Sequence, residues 1–392
     1  MSDTNLSLRI VADENIPFAQ TALEGLGTVR TLPGRAITPA DVRDADALLV
    51  RSVTQVDAAL LANSTVQFVG SATIGTDHVD GAYLGKRGIA FAHAPGSNAE
   101  SVVEYVLAAL LRFSVTRGEA LRGKVVGIVG CGHIGGRLAE RLPALGLRVL
   151  KNDPPLAAKQ GGGAFVGLAD VLREADVVTL HVPLTRRGAH ATYHLIGEEE
   201  LAQQHKEGWL INASRGPIVD GVALEAARAS RRPSALVLDV WEGEPTPDPD
   251  LLRRTHLATP HIAGYSYDGK VQGTVMLYDA LTAQFGLPKR WDVQAAFAPS
   301  PEDHLTLDPP DPALSETAWL DALVQQMYAI EADDARLRDM LAKPAEAHAA
   351  HFTDLRKRYP RRRAFSRHTL AAESVPEPYR RAVEEGLRVR LV

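Results

Sequence analysis

The sequence predicts an α/β protein made of two doubly wound parallel-sheet domains followed by a smaller third one. Three observations carry this. A chain of 392 residues is too long for one ordinary hydrophobic core. Short apolar runs alternate with amphipathic stretches in two successive blocks, the pattern of parallel strands joined by helical crossovers. A proline-rich stretch, Pro299–Pro312, then separates these blocks from roughly 80 residues of mostly helical pattern.

In the first block the expected strands are Leu8–Ala12, Ala47–Arg51, Gln67–Ser71 and Ile89–Ala92, with amphipathic stretches such as Pro17–Leu26 and Val56–Ala62 between them. Ser97 and Glu100 form an S-x-x-E capping pattern. The helix they open is apolar on most sides from Val102 to Phe113, apart from Glu104 and Arg112, so it is expected to be buried, between two domains. In the second block the strands are Val125–Val129, Arg148–Asn152, Asp176–His181, Trp209–Asn212 and Leu236–Val240, with a weak one ending near Thr259. Helices are expected near His133–Leu145, Leu168–Arg173, Glu198–His205 and Val222–Ala229, and a further helix, Tyr267–Phe285, as a return to the first domain. The resulting boundaries are 1–96 completed by 267–286, then 97–266, then 287–392.

Composition narrows the function. A net charge of -5 argues against a general nucleic-acid or membrane-surface binder. No apolar run approaches the ~18 residues of a membrane span, and the N-terminus lacks the pattern of a signal peptide. A cytoplasmic location is the expectation. The single cysteine, Cys131, excludes an intrachain disulfide. No His/Cys/Asp group has metal-ligand spacing, so no metal is expected.

The first clear chemistry lies in VVGIVGCGHIGGRLAERL. Gly130, Gly132 and Gly135 form G-x-G-x-x-G after an apolar strand and at the start of an amphipathic helix, the context a dinucleotide site needs. The glycines allow a tight turn, close approach of a pyrophosphate, and close packing of helix on strand. The helix start offers free N–H groups to phosphate oxygens. Asp153 ends the next strand, 18 residues beyond Gly135. A carboxylate there accepts bonds from the adenosine ribose and repels a 2′-phosphate. Pro154 and Pro155 follow it rather than arginine, which favours NAD over NADP.

Three later segments each follow an expected strand: NASRGPIVD with Arg215, LDVWEGEP with Asp239 and Glu244, and TPHIAGYSYDGK with His261. Strand ends are where α/β proteins collect ligands. Oxidising a 2-hydroxy acid needs a fork for its carboxylate, a base for its hydroxyl proton and a carboxylate to orient that base; Arg215, His261 and Glu244 supply these types. Taken singly, each has an ordinary reading: a surface or capping cation, a loop charge, a histidine bonded to backbone. Their joint presence behind a dinucleotide motif favours catalysis. His181 reads as shaping a loop near the cofactor. His78, His93, His133 and His205 read as structural or surface side chains.

These segments resemble the D-isomer-specific 2-hydroxyacid dehydrogenases over residues from about 8 to 285. The resemblance implies a Rossmann NAD domain, a flavodoxin-like lid domain and the catalytic set Arg215, Glu244 and His261. ADENIP, LLVRSVTQVD, GSATIGTDHVD, APGSNAESVVEY and MYAIEADDARLR are similar to a branch with an extra C-terminal α+β dimerisation domain and a small phosphorylated acid as substrate. From that branch come Ser52, Thr73 and Tyr265 as substrate residues beside Arg215. The NAD set is Gly130, Gly132, His133, Ile134, Gly135, Asp153, Val182, Ala213, Asp239 and Gly264, with Asp239 at the nicotinamide end. Val182 stands where threonine can occur, so its contact would be through backbone. A homodimer is implied too. The basic run Arg356–Arg363 reads as a solvated helix face, with reach into a partner's site as the alternative. Sibling dehydrogenases of the phosphoglycerate or hydroxypyruvate type share the triad, and so can nucleotide-sensing corepressors. Trp319, Leu323, Met327, Leu337 and Met340, spaced for packing, argue against a disordered corepressor tail.

Overall fold

The computed structural model describes residues 7–161, 163–205, 207–227 and 232–392. Two compact units emerge. One joins the chain up to Asn98 with Ser266–Asp303, and the other joins Ala99–Tyr265 with His304–Val392.

The first unit holds a parallel sheet of β1 (Leu8–Asp13), β2 (Gly27–Leu32), β3 (Ala47–Val50), β4 (Phe68–Ser71) and β5 (Ala90–His93), in the order β2-β1-β3-β4-β5. Strand β2 has no counterpart among the expected strands. It lies at the sheet edge with every side chain exposed or half-exposed, so its sequence, GTVRTL, carries no apolar run. Backbone pairing with β1 holds it, from Leu8↔Gly27 to Asp13↔Leu32. Gly27 is needed there, because a Cβ would lie 2.0 Å from the Leu8 carbonyl oxygen. Helix Tyr267–Phe285 returns to this unit and buries Leu277, Tyr278 and Leu281 against Leu8, Ile10 and Phe68.

The second unit holds β6 (Val125–Val129), β7 (Arg148–Asn152), β8 (Val177–Leu180), β9 (Trp209–Asn212), β10 (Ala235–Leu238) and β11 (Leu257–Ala258), all parallel, in the order β11-β10-β9-β8-β6-β7. The chain runs outward from β6 to β7, then crosses back to β8 on the other side of β6. Such a reversal leaves a crevice beyond the strand ends, where open α/β sheets bind ligands. The helix expected over Val222–Ala229 forms at Gly221–Ala226; residues 228 and 229 lie outside the described residues.

Helix Ala99–Arg117 is buried along most of its length. Its cover comes from Val126, Ile128 and Trp209 of the second sheet and from Trp319 and Leu323 of helix Glu316–Met327. Its all-round apolar pattern therefore records the docking of the C-terminal segment. Arg112 is held by Asp321 at 2.8 Å and Glu331 at 2.9 Å. Helices Ile330–Arg338 and Ala345–Lys357 follow, then a short parallel pair, β12 (Thr369–Leu370) and β13 (Arg390–Leu391). Trp319, Leu323, Leu337 and Met340 are each 0% exposed. Burial on this scale contributes roughly 1.5–3 kcal/mol per aliphatic side chain, which ties the segment firmly to its unit.

The basic run Arg356–Arg363 is not a solvated helix face. Its helix ends at Lys357, and Arg362 and Arg363 are buried. Arg362 lies 4.1 Å from the centre of the Tyr328 ring and donates to the Ala263 carbonyl at 3.1 Å. Burial alone would lower its pKa, but the groups around it, Tyr359, Tyr328, Glu104 and Asp333, outweigh that and keep it charged. A planar guanidinium can be buried in this way because its faces stack on rings while its edge bonds carbonyls. No helix among the described residues is long and apolar enough to cross a membrane.

Candidate active site

The glycine loop follows β6. Gly130 has φ +89, and a Cβ there would lie 2.6 Å from the His181 carbonyl oxygen. A Cβ on Gly135 would lie 2.0 Å from the Gly130 carbonyl oxygen, so the helix that starts at His133 can pack on the loop only with glycine there. Gly132 caps that helix, and a Cβ on it would meet nothing within 4 Å. The space above the helix start is therefore open while the loop beneath is filled, which fits a pyrophosphate.

Asp153 lies beyond β7. Its Oδ2 accepts from Cys131 N at 2.8 Å and its Oδ1 from Leu156 N at 2.9 Å. The carboxylate is thus fixed beside the glycine loop with lone pairs to spare for ribose hydroxyls. It also caps helix Pro154–Gln160, whose proline-led start did not read as a helix in the sequence. His181 bonds Thr179 Oγ1 at 2.9 Å, and its Nδ1 is buried without a partner. Burial drives this imidazole down to about 3, so it is neutral. Cys131 is buried and its thiol is pushed up to about 11, which removes it from thiolate chemistry. Ile134 and Val182 are partly buried and pack on the unit's core, and Ala213 is buried. These residues fit NAD.

Arg215, Glu244 and His261 all belong to the second unit. Asn212, at the end of β9, organises the first loop: its Oδ1 accepts from Ser214 N and Oγ, and its Nδ2 donates to the Arg215 carbonyl at 3.0 Å. The Arg215 guanidinium donates to the Ser214 carbonyl at 2.8 Å, and no carboxylate among the described residues pairs with it. Gly216 brings this loop against the next one, since a Cβ on it would lie 2.0 Å from the Trp241 carbonyl. On that next loop Glu244 Oε1 accepts from Trp241 N at 2.9 Å, and its Oε2 lies 2.8 Å from His261 Nδ1.

Asp239 binds the third loop to β10. Its Oδ1 accepts from Thr259 Oγ1 and Ile262 N at 2.7 Å, and its Oδ2 from Ala263 N at 2.9 Å. His261 is thereby held in a left-handed conformation, φ 57, with its own N–H on the Asp239 carbonyl at 2.7 Å. Burial alone would push the Glu244 carboxyl up. The hydrogen bond and charge of His261, the Trp241 N–H and the field of Arg356 outweigh it and hold Glu244 below the usual carboxylate range. An ionised Glu244 accepts Nδ1–H, which leaves Nε2 as the imidazole's proton acceptor. The arrangement can take a proton from a hydroxyl beside a carboxylate held by Arg215.

Gly264 and Tyr265 follow directly, the Tyr265 ring meeting Tyr359 edge-on at 5.8 Å. Ser52 and Thr73 belong to the first unit. Ser52 is exposed after β3, and Thr73 Oγ1 lies after β4, 2.7 Å from Ser71 Oγ and 2.9 Å from the Gly75 carbonyl. Sequence reasoning missed Asn212 and Trp241, whose roles appear only once loops meet. It also missed a cluster of His194, Asp220 and Glu242, whose ligand-type atoms lie within 4.8 Å of one another. Each ring nitrogen of His194 faces a carboxylate, at 2.9 and 3.4 Å.

Residues 106–263 match the NAD binding domain of the D-isomer specific 2-hydroxyacid dehydrogenases, and residues 312–381 match a domain of unknown function. The chain is 53% identical to an erythronate-4-phosphate dehydrogenase of Salinibacter ruber, over 98% of this chain and 99% of that one. It is 49% identical to the protein of that name in Azotobacter vinelandii, over 91% and 93%. Among solved structures, a D-lactate dehydrogenase from Aquifex aeolicus, complexed with NAD and lactic acid, is 26% identical with TM-score 0.57 over 71% of this chain and 95% of that one.

Proposed function

The chain belongs to the D-isomer specific 2-hydroxyacid dehydrogenase family, and on that premise we propose that it oxidises 4-phospho-D-erythronate with NAD to 2-oxo-3-hydroxy-4-phosphobutanoate, NADH and a proton. The single observation that carries the chemistry is the 2.8 Å contact between His261 Nδ1 and Glu244, beside an arginine with no acidic partner. The name shared by the curated relatives supports the phosphorylated four-carbon acid as substrate.

In this reading the Arg215 fork holds the substrate carboxylate through two parallel hydrogen bonds. His261 Nε2 removes the 2-hydroxyl proton, and Glu244 stabilises the imidazolium that results. Bound NAD supplies the acceptor for the hydride. The glycine loop with His133 and Ile134 holds its pyrophosphate, Asp153 its ribose, and Val182, Ala213, Asp239 and Gly264 the remainder of its site. Ser52, Thr73 and Tyr265 hold the rest of the substrate. Residues 1–96 with 267–286 act as the lid domain, 97–266 as the NAD domain, and 287–392 as the dimerisation domain of a cytoplasmic homodimer that engages neither nucleic acid nor membrane. The test is initial-rate NADH formation from 4-phospho-D-erythronate, 3-phosphoglycerate and unphosphorylated 2-hydroxy acids. The four-carbon phosphate should have the highest kcat/KM. A higher value for 3-phosphoglycerate would replace this substrate with the sibling's.

A further inference from the structure

Arg356, in the basic run, carries a charge that reaches Glu244 of the candidate catalytic set. It occupies the last turn of helix Ala345–Lys357, within the same unit as Glu244 and His261. Its guanidinium carbon lies 5.6 Å from the centre of the Tyr265 ring, and Tyr265 is four residues beyond His261. Glu244 feels its charge. Yet no carboxylate pairs with Arg356 among the described residues, and its Nε is buried with no hydrogen-bond partner. The neighbouring Arg358 behaves as surface arginines do and pairs with Asp354 at 2.9 Å.

A side chain that is stacked, half-buried and without a carboxylate partner keeps a fork of donors open to an anion. Such a fork matches a carboxylate or a phosphate. Arg215 presents a second guanidinium without a carboxylate partner, on the loop that packs against the one carrying Glu244. Two guanidinium groups without carboxylate partners, associated with one histidine–glutamate pair, suit an acid with an anion at each end.

We propose that Arg356 determines specificity in this site by taking the phosphate of the substrate, while Arg215 takes the carboxylate. This rests on the phosphorylated-acid reading above. A C-terminal segment would then be part of the active site of its own chain, which explains why it is docked by a buried core rather than tethered loosely.

The experiment compares kcat/KM for 4-phospho-D-erythronate and for D-erythronate in the wild type, Arg356→Gln and Arg356→Lys. Losing one charge-assisted fork on a phosphate should cost Arg356→Gln about 10- to 100-fold on the phosphorylated acid, chiefly in KM. D-Erythronate should change by less than about threefold, the margin left for a weakened field on Glu244. Arg356→Lys keeps the charge and should recover part of the loss. Equal losses on both acids would assign Arg356 to the Glu244–His261 pair or to folding, and would overturn the proposal. An unchanged preference for the phosphorylated acid in Arg356→Gln would overturn it too. A wild type that fails on 4-phospho-D-erythronate would instead remove the substrate reading itself, and this inference with it.

Discussion

Glu104 offers a pH test of how the C-terminal segment is held. It lies on helix Ala99–Arg117, 1% exposed, with Oε1 accepting the Phe365 N–H at 2.7 Å and Oε2 without a hydrogen-bond partner. Burial raises its carboxyl to about 7, against the pull of Arg362, the Phe365 N–H and Arg141. The ordinary value is 4.5, so between the two values the folded chain binds a proton that the unfolded chain has lost. A raised folded value means that stability is full below pH ~4.5 and is lost as pH rises through about 7. At about 1.4 kcal/mol per unit, the total loss is on the order of 3 kcal/mol. In Glu104→Gln the amide oxygen can still accept from Phe365, but the titration is gone. The buried histidines contribute slopes of their own, and subtracting the variant's urea-unfolding curve from the wild type's cancels them. The difference should fall by about 2.5 kcal/mol between pH 5 and 8. A flat difference across that range would refute the assignment of Glu104 as a buried, proton-holding group.

Glu244→Gln leaves a hydrogen-bond partner for His261 but no charge to stabilise the imidazolium. It should lower kcat about 10- to 100-fold and shift the alkaline-rising limb of the kcat profile, measured by steady-state rates across pH. Unchanged rates at every pH would count against the pair. Gly130→Ala must place a Cβ 2.6 Å from the His181 carbonyl at φ +89. It should weaken NAD binding, followed by quenching of protein fluorescence, by at least about tenfold, with a stability loss of roughly 1–3 kcal/mol.

Much of this was legible in the sequence because one-dimensional pattern and three-dimensional role coincide. The strands of both sheets that lie in the interior are mostly apolar, and the glycine loop declares itself by what a Cβ would strike. Arg215, Glu244 and His261 each follow a strand, so chain order already placed them at one edge of a sheet. What was not legible depends on partners far away in sequence. Strand β2 is an edge held by backbone bonds, with no apolar signature to read. Arg362 and Arg363 look like a solvated charge run. Only the fold supplies Tyr328, the Ala263 carbonyl and Glu104, which make Arg362 an interior residue. The same holds for Arg356, whose neighbour Tyr265 is 91 positions away.

The most direct measurement is single-turnover NADH formation by His261→Ala saturated with NAD and 4-phospho-D-erythronate. Loss of the proton acceptor should slow the turnover by two to four decades while NAD affinity stays as in the wild type. A rate within a few-fold of the wild type would contradict the claim that this imidazole, held by Glu244, takes the hydroxyl proton.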